Sequence, residues 1–348
     1  MSAPDILPAG ETALPAARDV ESAYAWCRQI AHRYGSNFSV GFRFLPREKR
    51  RAVYAAYAFC RLADDIADGA GHAIGSDCHP ERSEGSRGTI EALRLEAGQS
   101  SEASDEILRS HPPGLLAQDD TAVVLASLDR WQSELDACYA GHPEHPVTIA
   151  LADALERFDI PKSAFAALID GCRQDMTKHR YASFDELLGY CELVATSISD
   201  ISLAIFGYRS PAALDHGRQL ATALQLTNVT RDVGDDLERD RIYLPLDELA
   251  RFAVSEEQLR RRAETPQMRA LMVFQIDRAT EYFRRAEPLL AELDFDARFP
   301  TLLMGGVYAT VLERLRKDPL IPLRRRLALS LPRKLMVVGT RLLRPHFV

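Results

Sequence analysis

Two runs of the chain carry carboxylates where folding alone gives no reason for them. The first is Arg61-Leu62-Ala63-Asp64-Asp65-Ile66-Ala67-Asp68. At about 100° per residue, Tyr57, Arg61, Asp64 and Asp68 share one stripe of a helix, with Asp65 at its edge. Upstream, the stretch Ala52 to Cys60 is apolar turn after turn, the pattern of a helix buried nearly all round. Carboxylates at the C-terminal end of such a helix repel one another at i,i+4 and oppose the negative end of its dipole. A divalent cation removes both problems. Mg²⁺ takes hard oxygen ligands and commonly uses one or two carboxylates together with substrate phosphates.

The second run is Gln225 to Asp236. Asn228, Asp232 and Asp236 are four apart and share a face, with Gln225 and Asp235 beside them, while Leu224, Leu226, Val229 and Val233 take other faces. Either run alone reads as a solvated helix face. Two, distant in sequence and each on an otherwise apolar helix, match the way helical bundles project metal ligands from facing helices into one cavity.

The elements that must position these stripes are helices. Apolar residues recur at three- and four-residue spacing, with Pro and Gly at the breaks. The pattern predicts helices over 19–33, 46–68, 118–140, 145–157, 161–173, 183–206, 211–238, 265–293, 298–317 and 322–343. Ser183 with Glu186 and Ser255 with Gln258 read as capping boxes. No stretch alternates with period two between hairpin turns. The expectation is one all-α domain over 19–348, after a flexible tail at 1–18. It is interrupted at 69–114, where seven Gly, seven Ser and few large apolar residues predict a disordered insertion.

Composition narrows the function classes. The chain has 348 residues, with 43 Lys+Arg against 50 Asp+Glu and a net charge of −7. A mildly acidic chain disfavours broad nucleic-acid binding. No apolar run nears the roughly 18–20 residues of a membrane span, and the N-terminus lacks the basic-then-apolar order of a secretory signal. The six cysteines form no CxxC pair, which predicts free thiols in a reducing cytoplasm.

Taken together, these residues resemble the squalene/phytoene synthase family over about 20–68 and 116–340. Tyr34-Gly35-Ser36-Asn37-Phe38 is similar to the family's N-terminal flap, and Tyr57 to Asp68 to its first Asp-rich motif. Tyr190-Cys191-Glu192-Leu193-Val194-Ala195 is similar to its central tyrosine helix. Leu224 to Asp236, continued by Asp240-Arg241-Ile242-Tyr243-Leu244-Pro245, is similar to the second Asp-rich motif and its tail. Tyr308, Arg325, Arg326 and Lys334 fall where the family keeps a tyrosine and basic residues.

The resemblance implies a single isoprenoid-synthase-type bundle around a deep central cavity. It also implies head-to-head joining of two prenyl diphosphates through a cyclopropylcarbinyl diphosphate. Asp64, Asp65 and Asp68 would hold Mg²⁺ (or Mn²⁺) at one diphosphate, and Asn228, Asp232, Asp235 and Asp236 at the other. Arg61, Arg231, Asn37, Phe38, Tyr57, Gln225 and Tyr308 would contact substrate. Tyr190, Val194, Ser197 and Ile201 would wall the carbocation, with the rings of Tyr57, Tyr190 and Tyr308 facing its charge.

Asn37-Phe38 and the run Arg173 to Tyr181 look more like the squalene-forming branch of bacterial hopanoid pathways. The second Asp-rich motif looks equally like phytoene synthases. The expectation leans to squalene or a squalene precursor from farnesyl diphosphate, with phytoene from two geranylgeranyl diphosphates as the alternative; NADPH use and oligomeric state stay open at this level. A class I terpene cyclase and a non-catalytic assembly factor of the same fold are the rival readings. Pro319 to Val348 has seven basic residues, no Asp or Glu, and interleaved Leu, Met and Val, which predicts a cationic amphipathic end on the inner face of a membrane.

Overall fold

The computed structural model describes residues 19–34, 41–67, 118–327 and 346–348. The tail 1–18, the insertion 69–114 and most of the basic C-terminal segment lie outside them, as do Asn37, Phe38 and Asp68. Among the described residues the protein is all helix, with two isolated β-bridges in place of a sheet. One hydrophobic cluster runs from Ala23 to Phe347.

The helices in chain order are α1 Val20–Tyr34, α2 Arg47–Ala67, α3 Gln118–Tyr139, α4 Pro146–Leu155, α5 Lys162–Thr177 and α6 Phe184–Cys191. A π-helical turn, Glu192–Thr196, continues α6 into α7 Ser197–Phe206. There follow α8 Ala212–Arg231, α9 Val233–Glu238, α10 Leu246–Arg251, α11 Glu256–Arg260, α12 Pro266–Ala286, α13 Leu289–Glu292, α14 Phe295–Lys317 and α15 Ile321–Arg324.

Local signals account for several boundaries. Ser255 and Gln258 close a full capping box. Ser183 caps Glu186 N–H, but the Glu186 carboxylate accepts from Ala182 rather than from Ser183, so that box stays half-formed. Thr265 caps α12 with Pro266 in its first turn. Two expected helices are divided. The helix expected over 211–238 breaks at Asp232, whose backbone turns to φ −101 and ψ 9, and the one over 265–293 breaks around Glu287 and Pro288. Of the one over 322–343, the described part is the short α15.

Helix α2 is the hub, packed on α1, α3, α4 and α5, while α8 packs on α7, α12 and the π-turn. The continuous helix 184–206 is 23 residues long and apolar enough to cross a membrane, which corrects the expectation that no stretch would be. Its few charges are spread among long apolar runs, so no single run stands out in sequence. In the fold it packs on α5 and α8. Five cysteines (27, 60, 138, 172 and 191) are free and buried; Cys78 lies outside the described residues.

Candidate active site

Helix α2 shows what its stripe is for. From Ala52 to Ile66 every side chain is buried except Tyr57, Asp64 and Asp65. Neighbouring helices seal the rest, so the surface that remains open runs along the face that carries the carboxylates. The same holds further on. From Leu220 to Asp236 the half-buried positions are Leu224, Gln225, Asn228, Asp232, Asp235 and Asp236, again one stripe. Burial follows chemistry on both helices.

Helix α5 and the segment after α9 join the two stripes. Cys172 on α5 lies 3.5 Å from Asp64 Oδ1. One turn on, Asp175 accepts hydrogen bonds from Tyr190 (2.7 Å, Oδ2) and Tyr243 (3.0 Å, Oδ1). Burial raises the Asp175 carboxyl, Arg241 opposes that rise, and the Asp64 charge adds to it. Arg241 also offsets the charge of Asp236. Asp64, Asp175, Arg241 and Asp236 thus form a chain of interacting charges that runs from one stripe to the other.

Each stripe has its own cation. Arg61 is buried, pairs with Asp65, and sets its guanidinium 4.7 Å over the Tyr34 ring. Arg231 is buried and its Nε donates to Asp232 Oδ1 at 2.7 Å. Arg326, from the start of the basic C-terminal segment, reaches Asp235 at 3.5 Å and Asp232 at 4.0 Å. Gly234 lets that segment approach: a Cβ on it would come within 2.5 Å of the Pro322 carbonyl oxygen. Burial and the neighbouring Asp232 hold the Asp236 carboxyl well above the usual range, and burial also raises Asp235.

Whether these residues suit a divalent cation and a phosphate can be tested on their unmet hydrogen bonds. Asn228 Nδ2 donates to Gln225 at 3.3 Å, which leaves Asn228 Oδ1 buried without a partner. It sits on the carboxylate face of α8 and is a hard oxygen, as Mg²⁺ requires. Arg61 Nε is a buried donor without a partner, suited to an anion. Leaving such groups unmet costs about 1–3 kcal/mol each, which a bound ligand recovers. Among the described residues no three His, Cys, Asp or Glu side chains converge tightly enough to cage an ion by themselves.

Three tyrosines pack between the stripes. Tyr190 and Tyr243 stack at 5.4 Å, Tyr181 and Tyr243 at 5.7 Å, and Tyr181 meets Tyr190 at 5.5 Å. A short parallel pairing sets this up, in which Ile242 N–H donates to His179 and Leu246 N–H to Tyr181. Burial, then the Asp175 charge, keeps the Tyr190 phenol well above its ordinary value, so its proton stays on the oxygen. Tyr308 is buried on α14. Asp68, Asn37 and Phe38 lie outside the described residues. The sequence reading gave no role to Asp175 or Tyr243. The signal for Asp175 was there: Ala164, Leu168, Gly171 and Cys172 are buried on α5, and position 175 continues that stripe with a carboxylate.

Comparison with known proteins places this arrangement. The squalene/phytoene synthase family model matches residues 31–333. The chain is 31% identical to 15-cis-phytoene synthase of Synechococcus elongatus, over 93% of this chain and 94% of that protein. It is 32% identical to phytoene synthase of Arthrospira platensis, over 87% and 86%. Among solved structures, a dehydrosqualene synthase in complex with ligand aligns with a TM-score of 0.70 at 23% identity, over 92% of this chain and 95% of that one. A squalene synthase from Alicyclobacillus acidocaldarius aligns with a TM-score of 0.68 at 24% identity, over 86% and 95%. At those identities the structures establish the fold, all-α and isoprenoid-synthase-like. The sequence matches establish more: this chain belongs to the squalene/phytoene synthase family and is a prenyltransferase.

Proposed function

We propose that the protein joins two prenyl diphosphates head to head through a cyclopropylcarbinyl diphosphate, with a divalent cation, Mg²⁺ first, at each acidic stripe. The observation that carries this reading is the pattern of burial: from Ala52 to Ile66 the chain is buried except at Tyr57, Asp64 and Asp65, and from Leu220 to Asp236 except at Leu224, Gln225, Asn228, Asp232, Asp235 and Asp236.

In this reading Asp64, Asp65 and Asp68 hold one cation, and Asn228, Asp232, Asp235 and Asp236 the other. A bound cation supplies positive charge that stabilises the departing pyrophosphate. Arg61, through its unmet Nε, and Arg231 bind phosphate oxygens and share that charge. Tyr57, Gln225 and Tyr308, with Asn37 and Phe38 of the flap, orient the prenyl chains. Tyr190 presents a ring face to the developing carbocation, and apolar walls exclude the water that would quench it.

For chain length we infer two C20 substrates and a phytoene-type product, because relatives 31–32% identical over most of the chain are phytoene synthases. The second reading, two C15 substrates and squalene or a squalene precursor, is supported by Asn37-Phe38 and the run Arg173 to Tyr181. Mass spectrometry of the product formed from farnesyl or geranylgeranyl diphosphate, with Mg²⁺ and with or without NADPH, tests both. A C40 hydrocarbon supports the first and a C30 product the second. Cyclic C15 or C20 products, or longer diphosphates, would sink both. We also propose peripheral seating of the basic segment 319–348 on an anionic membrane from the cytoplasmic side, since a hydrocarbon product must pass into lipid. Liposome co-sedimentation with and without that segment tests it, and equal binding would end the idea.

A further inference from the structure

We propose that Asp175 is the positioning residue of the site: one carboxylate that holds the phenols of Tyr190 and Tyr243 and so fixes two stacked rings between the acidic stripes. The proposal rests on the head-to-head reading for its kinetic consequence, and on geometry for the rest. Each carboxylate oxygen serves one tyrosine, Oδ2 at 2.7 Å from Tyr190 and Oδ1 at 3.0 Å from Tyr243. The rings they carry stack at 5.4 Å with 28° between their planes. Two phenols from distant parts of the chain, one on α6 and one after α9, are clamped by a single side chain of α5.

Stability alone does not explain a carboxylate at this place. Asp175 lies within electrostatic reach of Asp64, so it adds negative charge where the first stripe already has an excess. A buried charge is also costly compared with an apolar residue of similar size. The backbone is arranged around the contact as well. Gly171, one turn before Asp175, permits close approach of the π-turn at Val194, and Val194 is one turn beyond Tyr190. The two helices therefore run antiparallel, with the tight contact and the hydrogen bond one turn apart on each. Turns of π-helix inside an α-helix recur at functional sites, and this one begins at Glu192, two residues after Tyr190.

What the clamp does is hold an aromatic face still. A ring that stabilises a carbocation must keep its face toward the charge, because attraction falls off as the ring turns edge-on. Asp175 accepts the hydrogen bonds of both hydroxyls, which holds the phenols away from substrate oxygens.

The test is Asp175→Asn beside Tyr190→Phe and the double variant, in the full-length protein with Mg²⁺. An amide keeps one acceptor and turns the other into a donor, so one phenol loses its acceptor and must reverse its hydrogen bond or move. Asp175→Asn should lower kcat at least tenfold while KM for the diphosphate and the Mg²⁺ dependence stay within twofold. The double variant should be no slower than the slower single one, since both changes remove the same contact. A raised KM with kcat retained, or losses that multiply, overturns the proposal.

A second readout needs no turnover. With tyrosine labelled at ¹³Cζ, the Tyr190 resonance, assigned by its loss in Tyr190→Phe, should move in Asp175→Asn; an unmoved resonance overturns the proposal. If Asp175→Asn unfolds early, Tyr243→Phe probes the clamp from its other arm. It should move the Tyr190 resonance and lower kcat at least threefold at constant KM, and wild-type values for both would overturn the idea. A wild-type protein that makes no condensation product sinks the functional reading alone, because the resonance still reports the clamp.

Discussion

Gly171 and Val194 set the distance between the helix that carries Asp175 and the one that carries Tyr190. A Cβ built on Gly171 would stand 2.5 Å from Val194 Cγ1 and 3.2 Å from Leu193 Cβ. Neither atom lies at the far end of a flexible side chain, so the helices themselves would have to part. Gly171→Val should therefore destabilise the fold by about 2 kcal/mol, within the usual 1–3 kcal/mol of overpacking, and lower kcat more than it raises KM. Thermal melts and steady-state kinetics check this, and wild-type kcat would show that the spacing is not critical.

The carboxylate stripes are set against the fold's own electrostatics, and that gives a distinctive signature. Asp232 helps hold the Asp236 carboxyl high, so removing its charge relieves repulsion. Asp232→Asn and Asp64→Asn should each lower kcat/KM roughly 10²–10³-fold, the scale of losing one preorganised transition-state contact. The melting temperature without ligand should hold in Asp64→Asn and fall in Asp232→Asn, which also breaks the pair with the buried Arg231. Mg²⁺ with inorganic pyrophosphate should raise the melting temperature of the wild type and have less effect on either variant. Chelation with EDTA should abolish turnover and leave the melt of the ligand-free protein unchanged.

Away from the site, a buried ion pair ties α10 to α12. Glu248 accepts from Gln275 at 2.6 Å and pairs with Arg278, whose guanidinium lies 3.8 Å over Phe184. Breaking such a pair by removing one partner costs about 3–5 kcal/mol, whereas replacing both by apolar residues is often neutral. Glu248→Leu should thus cost about 3 kcal/mol, and adding Arg278→Met should restore part of it. Urea titration of the three variants measures the difference. A double variant less stable than Glu248→Leu would contradict the account.

His145 supplies a pH dependence of known sign. It is buried between Trp26 and Trp131, with ring centroids at 5.3 and 5.0 Å, and its Nδ1 accepts from Val147 N–H as the cap of α4. Burial lowers its pKa from 6.5 to about 4. Below 6.5 the unfolded chain takes a proton that the folded chain refuses. The stability from the neutral ring is therefore whole above pH 6.5 and lost as pH falls toward 4. The loss approaches about 3 kcal/mol at most, at about 1.4 kcal/mol per pH unit. His145→Asn keeps a capping oxygen and cannot titrate. Its denaturation midpoint should change less than that of the wild type between pH 7.5 and 4.5, and equal slopes would refute the assignment.

Much of this protein was legible before any coordinates. Helices follow from apolar spacing, which acts locally, and caps such as Ser255 with Gln258 or Thr265 mark their ends by short-range hydrogen bonds. The stripes were readable for the same reason: Tyr57, Arg61 and Asp64, like Gln225 and Asn228, share a face by helical geometry alone. The break at Asp232 was not. Beside it α9 approaches Pro322 closely at Gly234, a contact between distant segments that periodicity does not show. Nor was the partnership of Asp175 with Tyr190 and Tyr243, because 15 residues part the first two and 68 part Asp175 from Tyr243. Periodicity fixes which residues share a face; only the packing of whole helices decides which faces meet, and here that decision set a carboxylate of one helix between tyrosines of two other segments.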